Sequence, residues 1–275
     1  MSGPLGSWVD GIEGNSMPAD DRGLQYGDGL FETILVRNRV ARFLDLHLAR
    51  LGRGLARLAI PFVDGAALRA DVARALERAP SLAILKIIVT RGSGERRGYA
   101  PSGAASARRI VSIWPSAPLP PMEQGVDLGV AQLRLPEPSP FAGLKHLNRL
   151  ENVMAAAEFA ATPTFDSLLL STAGRLVSGV ACNVFLVKAG GLLTPAVERA
   201  GVAGVMRQVV LREAAGLGIA TREAELTLED VFDADAMFIT NARIGVVPVR
   251  RVREHVLGMS EIAQRLRNTI EVLDA

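Results

Sequence analysis

The sequence contains very little lysine and cysteine. Only three of its 31 basic residues are lysines, at positions 86, 145 and 188, and the others are arginines. Arginine keeps its proton under physiological conditions, whereas a desolvated lysine can act as a nucleophilic amine. The position of each lysine is therefore informative. The single cysteine, Cys182, excludes an internal disulfide bond and is typical of a reducing compartment, so we expect a cytoplasmic protein.

Long hydrophobic runs are also missing. The apolar stretches are short and interrupted, and we expect neither a transmembrane helix nor a signal peptide. The net charge is only +2 and the arginines are scattered, so we expect neither nucleic acid nor a membrane as a partner. The three histidines lack the spacing of metal ligands, which predicts no metal site. Hydrophobic residues make up 49% of the 275 residues, as in a well-filled globular protein.

Strand patterns outnumber helix patterns in the first half of the chain and alternate with them in the second. This order predicts an α+β protein with two domains. Four prolines between positions 115 and 121 mark a linker. We predict a smaller N-terminal α/β domain over residues 1–114, a proline-rich linker over 115–122 and a larger C-terminal domain over 123–275. Asp45 and Asp64 are predicted to cap two helices, the first with a leucine periodicity that begins at Leu44, and further helices are predicted to begin at or near Lys145, Gly204 and Met259. The apolar run Leu82–Thr90 predicts a strand.

Two local patterns suggest chemistry. Lys145 follows a proline-rich loop and opens a helical pattern, a placement that suits a reactive amine, although an ordinary first-turn lysine would look the same. Gly201 and Gly204 precede an apolar-periodic helix, where free N–H groups can bind an anion. An ordinary glycine-rich turn is the alternative for this second pattern.

The segment Gly143-Leu-Lys-His-Leu-Asn-Arg-Leu-Glu151 resembles the cofactor-lysine segment of 4-amino-4-deoxychorismate lyases. These enzymes belong to the fold-type IV family of pyridoxal-phosphate enzymes, which also holds branched-chain and D-amino-acid aminotransferases. The similarity extends from Asp21 to Val249 and is strongest at the Lys145 segment, at 91–99 and at 201–208. It implies a two-domain α+β fold, a homodimer, and pyridoxal 5'-phosphate bound to Lys145, which belongs to the larger C-terminal domain.

The resemblance also implies roles for individual residues. Arg50, in His47-Leu-Ala-Arg50-Leu51, would pair with the cofactor phosphate, because a planar guanidinium can bind two phosphate oxygens. Ser178 stands where the family usually has a glutamate beside the pyridine nitrogen, so the cofactor would be a weaker electron sink. The other implied cofactor contacts are Asn183, the N–H groups of Val205 and Met206, Thr240 and Asn241. The implied substrate contacts are Tyr26, Arg91 and Arg97.

The function implied by the resemblance is that of an aminodeoxychorismate lyase, which converts 4-amino-4-deoxychorismate to 4-aminobenzoate and pyruvate for folate biosynthesis. In that reaction Lys145 would also remove the proton from the ring carbon that bears nitrogen. Two alternatives stay open. One is a D-amino-acid or branched-chain aminotransferase of the same fold. The other is a pyridoxal-phosphate-binding protein without turnover, an interpretation that serine at position 178 leaves open.

Overall fold

A computed structural model describes residues 3–61, 64–94, 98–101 and 106–273. The chain divides into two compact units. The first unit contains the chain up to Pro118 together with Lys145–Asn148, and the second contains Leu119–Leu144 and Arg149–Asp274. The limits predicted from sequence, at 114 and 123, differ from this division. Lys145, which was predicted for the C-terminal domain, is assigned to the first unit.

The first unit is built on a six-stranded antiparallel sheet. Its strands are β1 (Gly6–Val9), β2 (Ile12–Glu13), β3 (Gly29–Arg37), β4 (Val40–Ala41), β5 (Leu82–Thr90) and β6 (Arg108–Pro115). Its helices are α1 (Arg22–Tyr26), α2 (Leu44–Arg57) and α3 (Gly65–Glu77). The strand order is β2-β1-β6-β5-β3-β4, and α2 contacts β3 while α3 contacts β5 and β6.

The starts of the two longer helices in this unit test the predicted caps. Asp64 is the cap of α3, because its Oδ1 accepts hydrogen bonds from the N–H groups of Ala66 and Ala67. The predicted cap of α2 is wrong. Asp45 lies inside the first turn, where a carboxylate is favoured by the helix dipole, and its Oδ1 accepts a hydrogen bond from Arg69 at 2.7 Å. The leucine periodicity begins at Leu44, so the helix begins one residue before the predicted cap.

The second unit is built on a nine-stranded mixed sheet. Its strands are β7 (Val126–Leu135), β8 (Asp166–Ser171), β9 (Leu176–Gly179), β10 (Asn183–Lys188), β11 (Gly191–Pro195), β12 (Thr221–Ala224), β13 (Ala236–Asn241), β14 (Gly245–Val252) and β15 (His255–Val256). Its helices are α4 (Leu150–Ala157), α5 (Val205–Gly216), α6 (Leu228–Phe232) and α7 (Glu261–Glu271). The order is β12-β11-β10-β13-β14-β7-β8-β9, with β15 beside β14. Phe185 and Phe238 stack 4.9 Å apart in its core and are both fully buried.

The segment that carries Lys145 is not helical, contrary to the prediction. The N–H of Phe31 donates to the carbonyl of Lys145 and the N–H of Leu147 donates to the carbonyl of Gly29, both at 3.0 Å. Residues 145–147 therefore lie alongside β3 as a short antiparallel pair, and α4 begins only at Leu150. Backbone groups that pair with a strand cannot also form helical hydrogen bonds, which explains the late start.

Candidate active site

Lys145 has a well-defined place in the first unit. Its backbone pairs with Phe31, and directly opposed residues of an antiparallel pair project to the same side. Its side chain follows that rule, since Nζ lies 4.2 Å from the centroid of the Phe31 ring. The amine predicted to bond to the cofactor is thus held on one face of the sheet by backbone pairing.

A buried carboxylate organises the residues around α2. Glu32 of β3 is 1% exposed and lies 2.6 Å from Nδ1 of His47. It also accepts hydrogen bonds from Nε of Arg50 at 2.8 Å and from Nη2 of the same side chain. A carboxylate can only accept, so Nδ1 of His47 carries the proton and Nε2 is an acceptor. Among the described residues, this buried Nε2 has no hydrogen-bond partner.

The charges in this cluster follow from their surroundings. Burial alone would raise the pKa of Glu32, but hydrogen bonds and charge interactions with His47 and Arg50 hold it below its ordinary value. Burial lowers the pKa of His47, opposed by the bond to Glu32, and the charges of Arg50 and Lys145 lower it further. Near neutral pH, Glu32 is therefore ionised and His47 is neutral.

The structure gives Arg50 a fixed orientation. Two of its three guanidinium nitrogens donate to one buried carboxylate, unlike a solvated helix arginine. Arg50 faces the same side of α2 as the buried residues His47, Leu51 and Gly54. Its predicted role in phosphate binding stays a prediction, and its anchoring by Glu32 supplies the rigidity that such a role needs.

The predicted phosphate-binding turn lies in the second unit. Helix α5 starts at Val205 after Gly204, and within the described chain no side chain caps this helix start. The first N–H groups of a helix lack helical acceptors and carry partial positive charge. Asn183 shapes the turn, since its Nδ2 donates to the carbonyl of Val202 at 2.9 Å. A Cβ added to Gly204 would lie 2.0 Å from Oδ1 of Asn183, so this close approach requires glycine.

Thr240 and Asn241 lie at the end of β13, and Thr240 pairs with Asn183 on β10. The hydroxyl of Thr240 is fully buried and donates to the carbonyl of Gly245 at 2.7 Å. Oδ1 of Asn241 accepts hydrogen bonds from the N–H groups of the following turn at 243 and 244. Both side chains hold the connection between β13 and β14, and their contact with a cofactor stays a prediction.

Ser178 is buried in β9. Its hydroxyl donates to the carbonyl of Gly179 at 2.7 Å, and the N–H of Gly179 donates to the carbonyl of Cys182 at 2.8 Å. Ser178 and Asn183 therefore flank one turn. The hydroxyl of Ser178 carries no charge and its proton is already donated, so it can offer a further partner only its lone pairs.

The predicted substrate-contacting residues have different outcomes. Arg91 is buried, with 8% of the residue exposed. Its guanidinium donates to the Asp28 carboxylate and to the carbonyls of Leu58 and Ala59. These bonds use four of the five N–H groups of Arg91 for internal contacts. Arg97 lies outside the described residues. A substrate role for either arginine stays a prediction.

Tyr26, the third predicted substrate contact, belongs to a cluster that the sequence did not reveal. Its ring lies 5.4 Å from the ring of Tyr99 and 5.0 Å from the guanidinium carbon of Arg22. Arg22 is 5% exposed and donates to Asp28 and to the carbonyls of Gly98 and Tyr99. Asp28 thus joins two buried arginines, Arg22 and Arg91. In the sequence, the only signal for this cluster was the adjacent pair of opposite charges, Asp21 and Arg22, before the glycines of the segment.

Among the residues that the structure describes, no group of three or more His, Cys, Asp or Glu side chains is placed to hold a metal ion. No described helix has the length and apolar character needed to cross a membrane.

Comparison with known proteins identifies the family. Residues 29–252 match the Amino-transferase class IV family, and the chain belongs to it. Aminodeoxychorismate lyase of Vibrio harveyi is 36% identical over 88% of this chain and 89% of that protein. A putative branched-chain-amino-acid aminotransferase of Methanocaldococcus jannaschii is 32% identical over 89% of this chain and 85% of that protein.

Solved structures agree with this assignment. The crystal structure of 4-amino-4-deoxychorismate lyase from Pseudomonas aeruginosa has a TM-score of 0.92 and 43% identity, covering 98% of this chain and all of that one. The branched-chain amino acid aminotransferase from Escherichia coli has a TM-score of 0.88 at 21% identity, which shows the fold alone. The predicted two-domain α+β fold of type IV is confirmed.

Proposed function

We propose that this chain is an aminodeoxychorismate lyase, which converts 4-amino-4-deoxychorismate to 4-aminobenzoate and pyruvate in folate biosynthesis. The observation that carries the proposal is the similarity to the P. aeruginosa lyase, which spans nearly the whole of both chains at 43% identity. The substrate is a small molecule.

The cofactor is pyridoxal 5'-phosphate, and the residues present fit it. The group requires an amine for its aldehyde and donors for its phosphate. Lys145 supplies the amine, and Arg50 with the N–H groups of Val205 and Met206 supplies donors of the right kind. When bound, pyridoxal phosphate would supply an electron sink for the ring carbon that bears the substrate nitrogen. Lys145 would be the general base that takes the proton from that carbon, with 4-aminobenzoate and pyruvate as the products.

Lys145 as the cofactor-bearing residue has a direct chemical test. Borohydride reduction of the purified protein should fix the cofactor covalently on the peptide that contains Lys145. Lys86 and Lys188 are the other two lysines and serve as internal controls. Label on either of their peptides would exclude the assignment.

Ser178 bears on the choice between elimination and transamination. A neutral hydroxyl cannot keep a pyridine nitrogen protonated as a carboxylate does. A transaminase depends strongly on that protonated ring, whereas a lyase also gains from the departing group and from aromatisation. We expect Ser178→Glu to raise any transamination of amino acids relative to lyase turnover.

The aminotransferase alternative rests on the 32% identity with the M. jannaschii protein. The two activities separate in one experiment. The holoenzyme is incubated with aminodeoxychorismate and, separately, with D-alanine or a branched-chain amino acid. The lyase predicts 4-aminobenzoate from the first, whereas the aminotransferase predicts pyridoxamine phosphate from the second. Neither product, from protein that retains the bound cofactor, would indicate a binding protein without turnover.

The proposed enzyme is a cytoplasmic homodimer. An exposed apolar face of helix α4 supports an interface with a second copy of the chain. Leu150, Val153 and Met154 are 55–70% exposed and lie on one face of this helix. Light scattering should give twice the chain mass for the native protein and a smaller value for Met154→Glu. Ala156→Glu, exposed but off that stripe, is the matched control.

A further inference from the structure

Lys86 lies on the less buried face of the sheet in the first unit. Along β5, the side chains of 83, 85, 87 and 89 are fully buried on one face, whereas 84, 86 and 88 are half-buried on the other. Phe31 pairs with Ile88 across β3 and β5, so its ring projects to the same face as Lys86. Lys145 contacts that same ring. Lys86 and Lys145 therefore share one face of the sheet.

The two amines lie close to a single aromatic ring. Nζ of Lys86 is 5.4 Å from the centroid of Phe31, and Nζ of Lys145 is 4.2 Å from it. The fold thus brings two of the three lysines to one place, although they are far apart in sequence. The third, Lys188, is exposed at the end of β10. A substrate whose reacting carbon reaches Lys145 would therefore lie beside the same Phe31 ring that Lys86 contacts.

Within the described part of the chain, the side chain of Lys86 has no counter-ion and forms no hydrogen bond. Its ammonium contacts the face of the Phe31 ring. Half-buried arginines of the same unit are paired, as Arg108 is with Asp21 and Arg109 with Asp71. An ammonium that loses part of its hydration without gaining an anion is destabilising. Such a cation is retained at a cost that a bound anion would offset.

The surroundings of Lys86 define the kind of anion. Ile84, Ile88 and Ile110 form an apolar surface around it on the same face, and Thr33 and Ser112 lie directly opposite it on the two neighbouring strands. A flat apolar ring that carries a carboxylate matches this combination of an apolar wall, hydroxyls and one cation. Aminodeoxychorismate has this character, with one carboxylate on its ring and one on its enolpyruvyl group.

We propose that Lys86 is a substrate-binding residue that forms an ion pair with one of these two carboxylates. The inference rests on the proposed function, because that function supplies the dicarboxylate. Lys145 performs the chemistry, whereas Lys86 holds the ring in place beside it. Removing the charge of Lys86 should therefore raise KM much more than it lowers kcat.

The test compares Lys86→Met with Lys86→Arg, which keeps the charge, and with Lys188→Met, which removes an exposed lysine. A charge-assisted contact predicts a loss of roughly ten- to hundredfold in kcat/KM for aminodeoxychorismate in Lys86→Met. Lys86→Arg should retain most of the activity, and Lys188→Met should equal the native enzyme. Circular dichroism and cofactor absorbance verify that each holoenzyme is folded and loaded.

Binding of the products identifies the carboxylate without turnover. The ring carboxylate remains on 4-aminobenzoate and the other remains on pyruvate. Calorimetry with each product, and with neutral 4-aminobenzamide as the matched ligand, should show weaker binding of one carboxylate to Lys86→Met and unchanged binding of the amide. The inference would be overturned if Lys86→Met bound both product carboxylates with native affinity and had the native KM for aminodeoxychorismate. Failure of the native enzyme to form 4-aminobenzoate would instead reject the lyase function, and the product titrations still test the charge at position 86.

Discussion

The two predicted phosphate-binding elements differ in how they are built. In the first unit, Arg50 belongs to a buried network in which Glu32 and His47 fix its orientation. In the second, the start of α5 carries no charged side chain at its cap, and Asn183 and Gly204 set its shape. As phosphate-binding elements, the first would attract the anion by side-chain charge and the second by oriented backbone N–H groups. The first should therefore be sensitive to charge substitution and pH, the second to added volume.

The largest effect is expected at Glu32. Glu32→Ala leaves Arg50 and His47 buried without their shared acceptor, and breaking such a pair costs about 3–5 kcal/mol of unfolding free energy. Urea denaturation measures it. The control is Asp45→Asn on the same helix, whose ion pair with Arg69 is exposed and which should change stability by less than about 0.5 kcal/mol. Equal effects at the two sites would remove the distinction between a buried network and a surface pair.

Arg50→Ala tests the charge-based element through the cofactor. Loss of a charge-assisted contact with the phosphate should cost about 1.5–3 kcal/mol, which is one to two decades in affinity for pyridoxal phosphate. Titration of the apoprotein, followed by absorbance, gives the affinity. Arg53→Ala, at an exposed position of the same helix, should bind the cofactor normally. Native affinity in Arg50→Ala would show that this arginine serves the structure of the unit alone.

Gly204→Ala tests the shape-based element. The added methyl group would overlap Oδ1 of Asn183, and forcing such a group into a packed site costs about 1–3 kcal/mol. We expect lower stability and weaker cofactor binding. Gly216→Ala, at the other end of α5, meets nothing within 4 Å and should be neutral or slightly stabilising. Adding Asn183→Ala to Gly204→Ala relieves the overlap. If this does not restore any stability, the steric explanation is wrong.

Elements that depend on interactions between residues close in sequence were predicted correctly, whereas those that depend on distant partners were not. Strand β5 was predicted with its observed limits, Leu82–Thr90, because an apolar run bounded by turn residues is a local signal. The helix at Lys145 was misplaced, because pairing of residues 145–147 with β3 depends on a partner more than a hundred residues away. Strand β11 and helix α6 are too short for their patterns to stand out.

The candidate site shows the same limit. The residue types at Lys145, Arg50 and Gly204 were visible as motifs, but the network around Arg50 was not. Glu32 is an acid within an apolar strand, and only the packing of α2 on β3 shows that it is buried. Likewise, the internal bonds of Arg91 to residues 58 and 59 have no local signature.

The smallest effect expected is a pH dependence of the unfolding free energy, which, of the two elements, only the network of Arg50, Glu32 and His47 should produce. Burial, aided by the charges of Arg50 and Lys145, keeps the folded pKa of His47 below its ordinary 6.5. As pH falls below about 6.5, the unfolded chain therefore takes up a proton that folded His47 does not, and the free energy of unfolding decreases. The pKa of Glu32 is also lowered, from 4.5, so its contribution is lost only at still lower pH.

The difference between native protein and His47→Asn isolates this effect. Unfolding free energy measured from pH 7.5 to 4.5 should decline in the native protein, and the variant should lack the part of the decline that begins near pH 6.5. Gly204 and Asn183 do not titrate, so Gly204→Ala should shift the native curve downward without changing its shape. Parallel curves for native protein and His47→Asn would contradict the buried neutral histidine. The charge-based element would then lose the pH sensitivity that distinguishes it from the turn before α5.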